Sequence, residues 1–188
     1  MRILGIDPGS VATGFGVVDR RGAHTAHVAH GTLRPPRDAA LATRLAYLHR
    51  EVERLLATHQ PDAVAIERVF AGRSAHSALV LGQARGAVLA ALAAAGVPIR
   101  ELAPQHVKLA VTGHGAAEKA QVQSMVRRLL ALDATPPRDA ADALAAALCC
   151  AQEGRLGALA LAAAAARPSG TRRASGLRIG RVVVRRIP

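Results

Sequence analysis

A chain of 188 residues that is 51% hydrophobic can bury one ordinary core and has no room for two full domains. Its formal net charge of +12 and pI near 11.6, carried mostly by arginine, point to phosphate-bearing partners, with nucleic acid foremost, rather than to a general need for solubility. The only two cysteines, Cys149 and Cys150, are adjacent, which excludes a disulfide framework, lacks zinc-ligand spacing and fits a reducing cytoplasm.

The first predicted strand is the apolar run of Ile3, Leu4 and Ile6, stopped by Pro8-Gly9, so Asp7 stands at its C-terminal end. A carboxylate there is held rigidly, can face a cleft and is costly unless a cation meets it, which makes Asp7 a candidate metal ligand. It also reads as a cap on the Pro-Gly turn. Gly14–Asp19 and Thr25–Leu33 read as two more strands joined by a tight turn, giving an antiparallel meander. From Asp38 to His59, Leu41, Leu45, Leu48, Val52, Leu55 and Leu56 recur at helical spacing until Pro61 halts the pattern. Pro61–Glu67 is then a short strand, as in a crossover returning beside the first, and Glu67 ends it as Asp7 ended the first. Neighbouring strands that end in acids set two carboxylates at one edge of a sheet.

Ser74–Gly96 reads as a long Ala/Leu/Val helix, with Ser74 as N-cap and Gly96 as stop. It is apolar around most of its circumference, and Gly82, Ala84 and Gly86 permit close approach, so it suits either a second subunit or plain burial within the chain. Val97–Leu102 reads as a fifth strand, Pro104–Val111 as a short helix and Glu118–Leu130 as an amphipathic one. Pro136-Pro137 introduces a last helix, from about Arg138 to Gln152, in which Asp139 and Asp142 are three apart on one face of the first turn. Early acids also suit the helix dipole, so a capping role is available to them. Residues 153–188 hold eight arginines against one glutamate, a net +7 that leaves +5 for residues 1–152, and they read as a basic, disordered tail after a single domain. The chain shows no basic-then-apolar leader and no apolar run approaching membrane-spanning length, so no membrane association is expected.

Asp7, Glu67, Asp139 and Asp142, converging from two strand ends and one helix face, make an oxygen-rich site suited to Mg²⁺ or Mn²⁺. Two such ions about 4 Å apart serve phosphodiester cleavage. Lys119 or Lys108 can steady the phosphate charge. Arg73, Arg85, Arg127 and Arg128, with the two lysines, supply a sequence-independent, salt-sensitive grip on a backbone. Phe70, just beyond the Glu67 strand, can stack on a base or serve as a core plug.

Six separated motifs, Gly5-Ile6-Asp7-Pro8-Gly9-Ser10 with Thr13-Gly14, Ala65-Ile66-Glu67-Arg68-Val69-Phe70, Leu81-Gly82-Gln83-Ala84-Arg85-Gly86, Gln105-His106-Val107-Lys108, Ala117-Glu118-Lys119-Ala120-Gln121-Val122 and Asp139-Ala140-Ala141-Asp142-Ala143-Leu144, together resemble the RuvC family of bacterial Holliday junction resolvases across residues 1–152. The resemblance implies an α/β fold of the ribonuclease-H-like kind, a five-stranded mixed sheet flanked by helices. It implies a homodimer that nicks two strands of a four-way DNA junction symmetrically with Mg²⁺ and leaves ligatable 5′-phosphate ends. It assigns Asp7, Glu67, Asp139 and Asp142 to the acidic tetrad, Lys108 and Lys119 to the scissile phosphate and Phe70 to the junction. It also implies partnership with the RuvA–RuvB branch-migration motor. Arg68 after the glutamate, the Ala/Arg bias and the basic tail depart from the family's pattern. An actin-like or sugar-kinase ATPase opens similarly but needs two such domains. A nuclease-dead scaffold need not retain four acids, and a related enzyme acting on RNA would share this fold.

Overall fold

The computed structural model describes residues 1–68 and 74–165, with side chains as far as Glu153. Its elements in chain order are β1 (Arg2–Asp7), β2 (Thr13–Arg21), β3 (His24–Leu33), α1 (Leu41–His59), β4 (Ala63–Glu67), α2 (Ala75–Ala94), β5 (Ile99–Leu102), α3 (Pro104–Thr112), α4 (Lys119–Leu129) and α5 (Arg138–Ala165). The strands form one sheet in the order β3-β2-β1-β4-β5. The meander β1-β2-β3 is antiparallel, while β4 and β5 run parallel to β1, each reached by a helical crossover.

Side chains along a strand alternate between faces, and the core divides accordingly. Leu4, Ile6, Val17, Val64 and Ile66 point to the layer of α1 and α2, where they meet Leu48, Val52, Val88 and Leu92. Ile3, Val18 and Ala65 point the other way, to the layer of α3, α4 and α5, where they meet Val107, Val122, Val126 and Leu144. Each large aliphatic chain fully withdrawn from water there contributes about 1.5–3 kcal/mol. Both faces of β1 and β4 are thus covered, which is why they read as unbroken apolar runs.

Several boundaries differ from the sequence expectations for local reasons. α1 begins at Leu41 rather than Asp38; no side chain caps it, and the Ala39 amide donates to the Pro36 carbonyl in a turn before the helix. β5 begins at Ile99 because Pro98 has no amide to give the ladder, although its carbonyl accepts from Val64. α5 continues through the alanine run to Ala165, well past Gln152, as a strong helix former should. Ser74 does cap α2, accepting from the Ser77 amide at 3.4 Å.

The expectation that no apolar segment reaches membrane-spanning length is corrected by α2, whose 20 residues include a window of mean hydropathy 1.5. In the fold this helix lies along α1, burying a single stripe of Ala84, Val88, Ala91 and Leu92 and leaving Leu79 62% exposed. Burial within the chain therefore accounts for only part of its apolar surface.

Candidate active site

The alternation that sorts the core also aims the acids. On β1, Ile3 and Gly5 face α5, so Asp7 does too; on β4, Ala65 faces α5, so Glu67 does too. The parallel register pairs Ile6 with Ile66, which sets Asp7 and Glu67 side by side at the C-terminal ends of adjacent strands. Asp7 is followed by a turn clamped by Thr13, whose fully buried hydroxyl donates to the Gly9 carbonyl at 3.1 Å and faces the Gly9 amide at 3.3 Å. Arg44 on α1 also donates to the Ser10 carbonyl, tying the turn to the helix layer.

α5 delivers the other two acids because, at Gly5, Gly14 and Gly16, the sheet beneath it has no side chains in the way. A Cβ on Gly14 would lie 1.9 Å from the Asp139 carbonyl oxygen, one on Gly5 1.9 Å from that of Ala143, and one on Gly16 2.6 Å from the Leu144 side chain. Backbone thus rests on backbone along β1 and β2, and Gly14 is the register partner of Asp7. This contact brings the N-terminal end of α5, with Asp139 in its first turn and Asp142 one step beyond, down onto the Asp7 end of β1.

The electrostatics record the convergence. Burial pushes the Asp7 carboxyl up from an ordinary 3.8 to about 7, helped by repulsion from Asp142, Glu67 and Asp139 and opposed by Lys119. Glu67 is raised as well, by burial first and then by Asp142, with Lys119 and Lys108 pulling the other way. Lys119 Nζ donates to Asp142 Oδ2 at 3.3 Å. Its place is set by the capping box of α4, in which the Glu118 amide donates to Gln121 Oε1 and Lys119 is the first helical residue. Glu67, Asp142, Lys108 and Lys119, with Pro104, Val107, Val122 and Ala145, line a pocket of about 50 Å³, room for ions and water but not for a base. Acids that repel one another in a half-buried pocket, with oxygen donors alone, are chemically suited to a hard divalent cation.

The remaining candidates fall elsewhere. Arg85 forms an ion pair with Glu101 on β5 and so fastens α2 to the sheet edge. Arg127 donates to the carbonyls of Leu132 and Asp133 beyond the end of α4. Phe70 and Arg73 lie outside the described residues. From the sequence, Gly5, Thr13 and Gly14 were visible only as parts of a motif, with no role for Thr13 as the clamp of the turn or for Gly5, Gly14 and Gly16 as the floor beneath α5. Although the adjacent cysteines lack zinc-ligand spacing along the sequence, His106, Cys149 and Glu153 gather between α3 and α5, because ligands from two helices need no sequence spacing. Burial pushes the Cys149 thiol up to about 12, so it is no nucleophile.

Residues 3–150 match the family model described as crossover junction endodeoxyribonuclease RuvC. The protein of that name from Alkalilimnicola ehrlichii is 55% identical over 148 residues, 79% of this chain and 89% of the relative. That from Halorhodospira halophila is likewise 55% identical over 148 residues, 79% of this chain and 88% of the relative. Among solved structures, Thermus thermophilus RuvC in complex with a Holliday junction substrate superposes with a TM-score of 0.79 at 39% identity, covering 84% of this chain and 96% of that one.

Proposed function

The chain belongs to the RuvC family of crossover junction endodeoxyribonucleases, with its ribonuclease-H-like fold, and from that premise we propose that it resolves Holliday junctions in recombination and repair by nicking two strands symmetrically. Asp7, Glu67, Asp139 and Asp142 are the proposed metal ligands, for two Mg²⁺ ions with Mn²⁺ able to substitute. The observation that carries this reading is the placement of Asp7 and Glu67 at the ends of adjacent parallel strands beneath the N-terminal end of α5, where burial and the neighbouring acids raise the Asp7 carboxyl, a state that a divalent cation relieves. Bound there, such ions supply Lewis-acid charge against phosphate oxygens and a water made nucleophilic at neutral pH.

The protein's own residues do the positioning. The strand ends fix Asp7 and Glu67, the glycine floor fixes Asp139 and Asp142, and Lys119 and Lys108 approach the pocket from α4 and α3 to hold a negative phosphate. Phe70, Arg73 and Arg85 contact the junction in this reading, Arg85 from its place beside Glu101 at the sheet edge. A homodimer is supported by α2, where Leu79, Gly82, Gly86 and Ala90 form an exposed small and apolar stripe and an added Cβ at either glycine meets nothing within 4 Å. Two sites on a two-fold suit two symmetric nicks with 5′-phosphate ends. The basic tail adds phosphate affinity, and RuvA–RuvB is the proposed partner in the cytoplasm.

The test incubates the protein with an end-labelled four-way junction, the matched duplex and an RNA–DNA hybrid, with and without Mg²⁺. Paired, ligatable nicks confined to the junction and dependent on Mg²⁺ are expected. ATP turnover, or cleavage of the hybrid alone, contradicts the proposal.

A further inference from the structure

His106, Cys149 and Glu153 form a second donor group that shares no residue with the carboxylate pocket. Their ligand atoms all lie within 4.8 Å of one another, with His106 Nδ1 3.3 Å from Glu153 Oε1. Cys149 and Glu153 are four apart on α5 and share a face, while His106 comes from the first turn of α3. Cys149 is buried, and the side chains of His106 and Glu153 are 50% and 36% exposed, so the group is closed on the core side and open on the other. It opens onto a cleft of about 530 Å³ that His106 and Glu153 line together with Arg68, Arg100 and Glu101.

We propose that His106, Cys149 and Glu153 form a zinc-type site that takes one thiophilic divalent cation, with its fourth position open to the cleft. The donor set argues for the class of ion. One sulfur, one imidazole nitrogen and one carboxylate oxygen make a three-ligand site of the kind zinc occupies with a water, whereas the pocket at Asp7 offers oxygen alone and suits magnesium. Distances agree: metal–nitrogen and metal–oxygen bonds of about 2.1 Å at a tetrahedral angle place the two ligand atoms about 3.4 Å apart, and the observed 3.3 Å is that edge. The edges to sulfur lie within 4.8 Å against about 3.6 Å in a tetrahedral site, so binding requires the partly exposed His106 and Glu153 side chains to close on the sulfur by up to about 1 Å. An ordinary ion pair accounts for His106 and Glu153, and Cys149 is buried with the core around it; what sets its thiol apart is that the sulfur lies within 4.8 Å of both of their ligand atoms and 4.0 Å from the His106 carbonyl. On coordination the sulfur–metal bond forms and the thiol proton passes to solvent; nothing is oxidised or reduced. Arg68 and Arg100 on the cleft wall oppose a cation, and Glu101 there is already paired with Arg85, so the three ligands themselves must supply the attraction. The bound ion staples α3 to α5 two residues before Lys108, and so steadies one wall of the carboxylate pocket.

The test uses the full chain carrying Asp7→Asn, which weakens metal binding at the other pocket, and cobalt(II) as the probe. One equivalent of cobalt should produce a near-ultraviolet thiolate-to-cobalt charge-transfer band that zinc displaces. The band should vanish in Cys149→Ser, weaken at least about tenfold in affinity in His106→Ala and persist in Cys150→Ser. His106 is exposed, so its variant keeps the fold, as a melting curve verifies. Absence of the band in the parent protein, its survival in Cys149→Ser or its loss in Cys150→Ser overturns the proposal.

Discussion

Asp7→Asn should stabilise the metal-free protein while destroying its chemistry. The Asp7 carboxyl is held at about 7 in the fold against an ordinary 3.8, so between those values the folded chain keeps a proton that the unfolded chain has lost. Stability therefore falls as pH rises through that window and is level on either side of it. Three pH units at 1.36 kcal/mol each give about 4 kcal/mol, and counterions and water at a pocket open to solvent reduce this to about 2–4 kcal/mol. For a chain of this size that is a rise in Tm of about 5–15 °C. In thermal melts with chelator, the variant should exceed wild type by that margin at about pH 8 and match it near pH 4, where the wild-type carboxyl is protonated. Added Mg²⁺ should close the gap at the higher pH by stabilising wild type alone. Equal melting of the two proteins at both pH values refutes the idea that repulsion among these acids is stored in the fold.

Gly14→Ala puts a Cβ 1.9 Å from the Asp139 carbonyl oxygen, so α5 must lift: a stability loss of about 1–3 kcal/mol in urea titrations and a drop in cutting rate of about a hundredfold are expected, with junction binding retained. Lys119→Ala should slow single-turnover cleavage by about 10–100-fold, with Lys119→Arg recovering part of it, and an unchanged rate would remove Lys119 from the phosphate. Leu79→Asp places a charge on the exposed stripe of α2, and analytical ultracentrifugation should then find monomers where wild type sediments as a dimer.

The parts of this fold legible in the sequence are those set by short-range chemistry. Ile3-Leu4-Gly5-Ile6 with Pro8-Gly9 announces a strand and its end, and the same logic at Ala63–Glu67 places Glu67 at the end of β4. The period of α1 and the capping of α2 by Ser74 are equally local. What needed the fold is contact across the chain. Gly5, Gly14 and Gly16 look like ordinary strand weakeners until α5 is laid over them. Which stripe of α2 is buried could not be read from a helix apolar all round, since its pattern has no preferred direction. Cys149 and Glu153 are related by one helical turn, but His106 stands 43 residues before Cys149 and joins them only through the packing of α3 on α5. Arg85 carried no mark in its sequence to separate a partner of Glu101 from a partner of phosphate.

The central claim is that Asp7, Glu67, Asp139 and Asp142 act together on a DNA phosphate, and the most direct measurement is single-turnover cleavage of a four-way junction by Asp7→Asn, Glu67→Gln, Asp139→Asn and Asp142→Asn alongside their binding affinities. All four variants should bind the junction as wild type does and cut it more slowly by about a thousandfold or more, the scale of losing several kcal/mol of charge stabilisation. Wild-type cutting by any one of them would contradict the account.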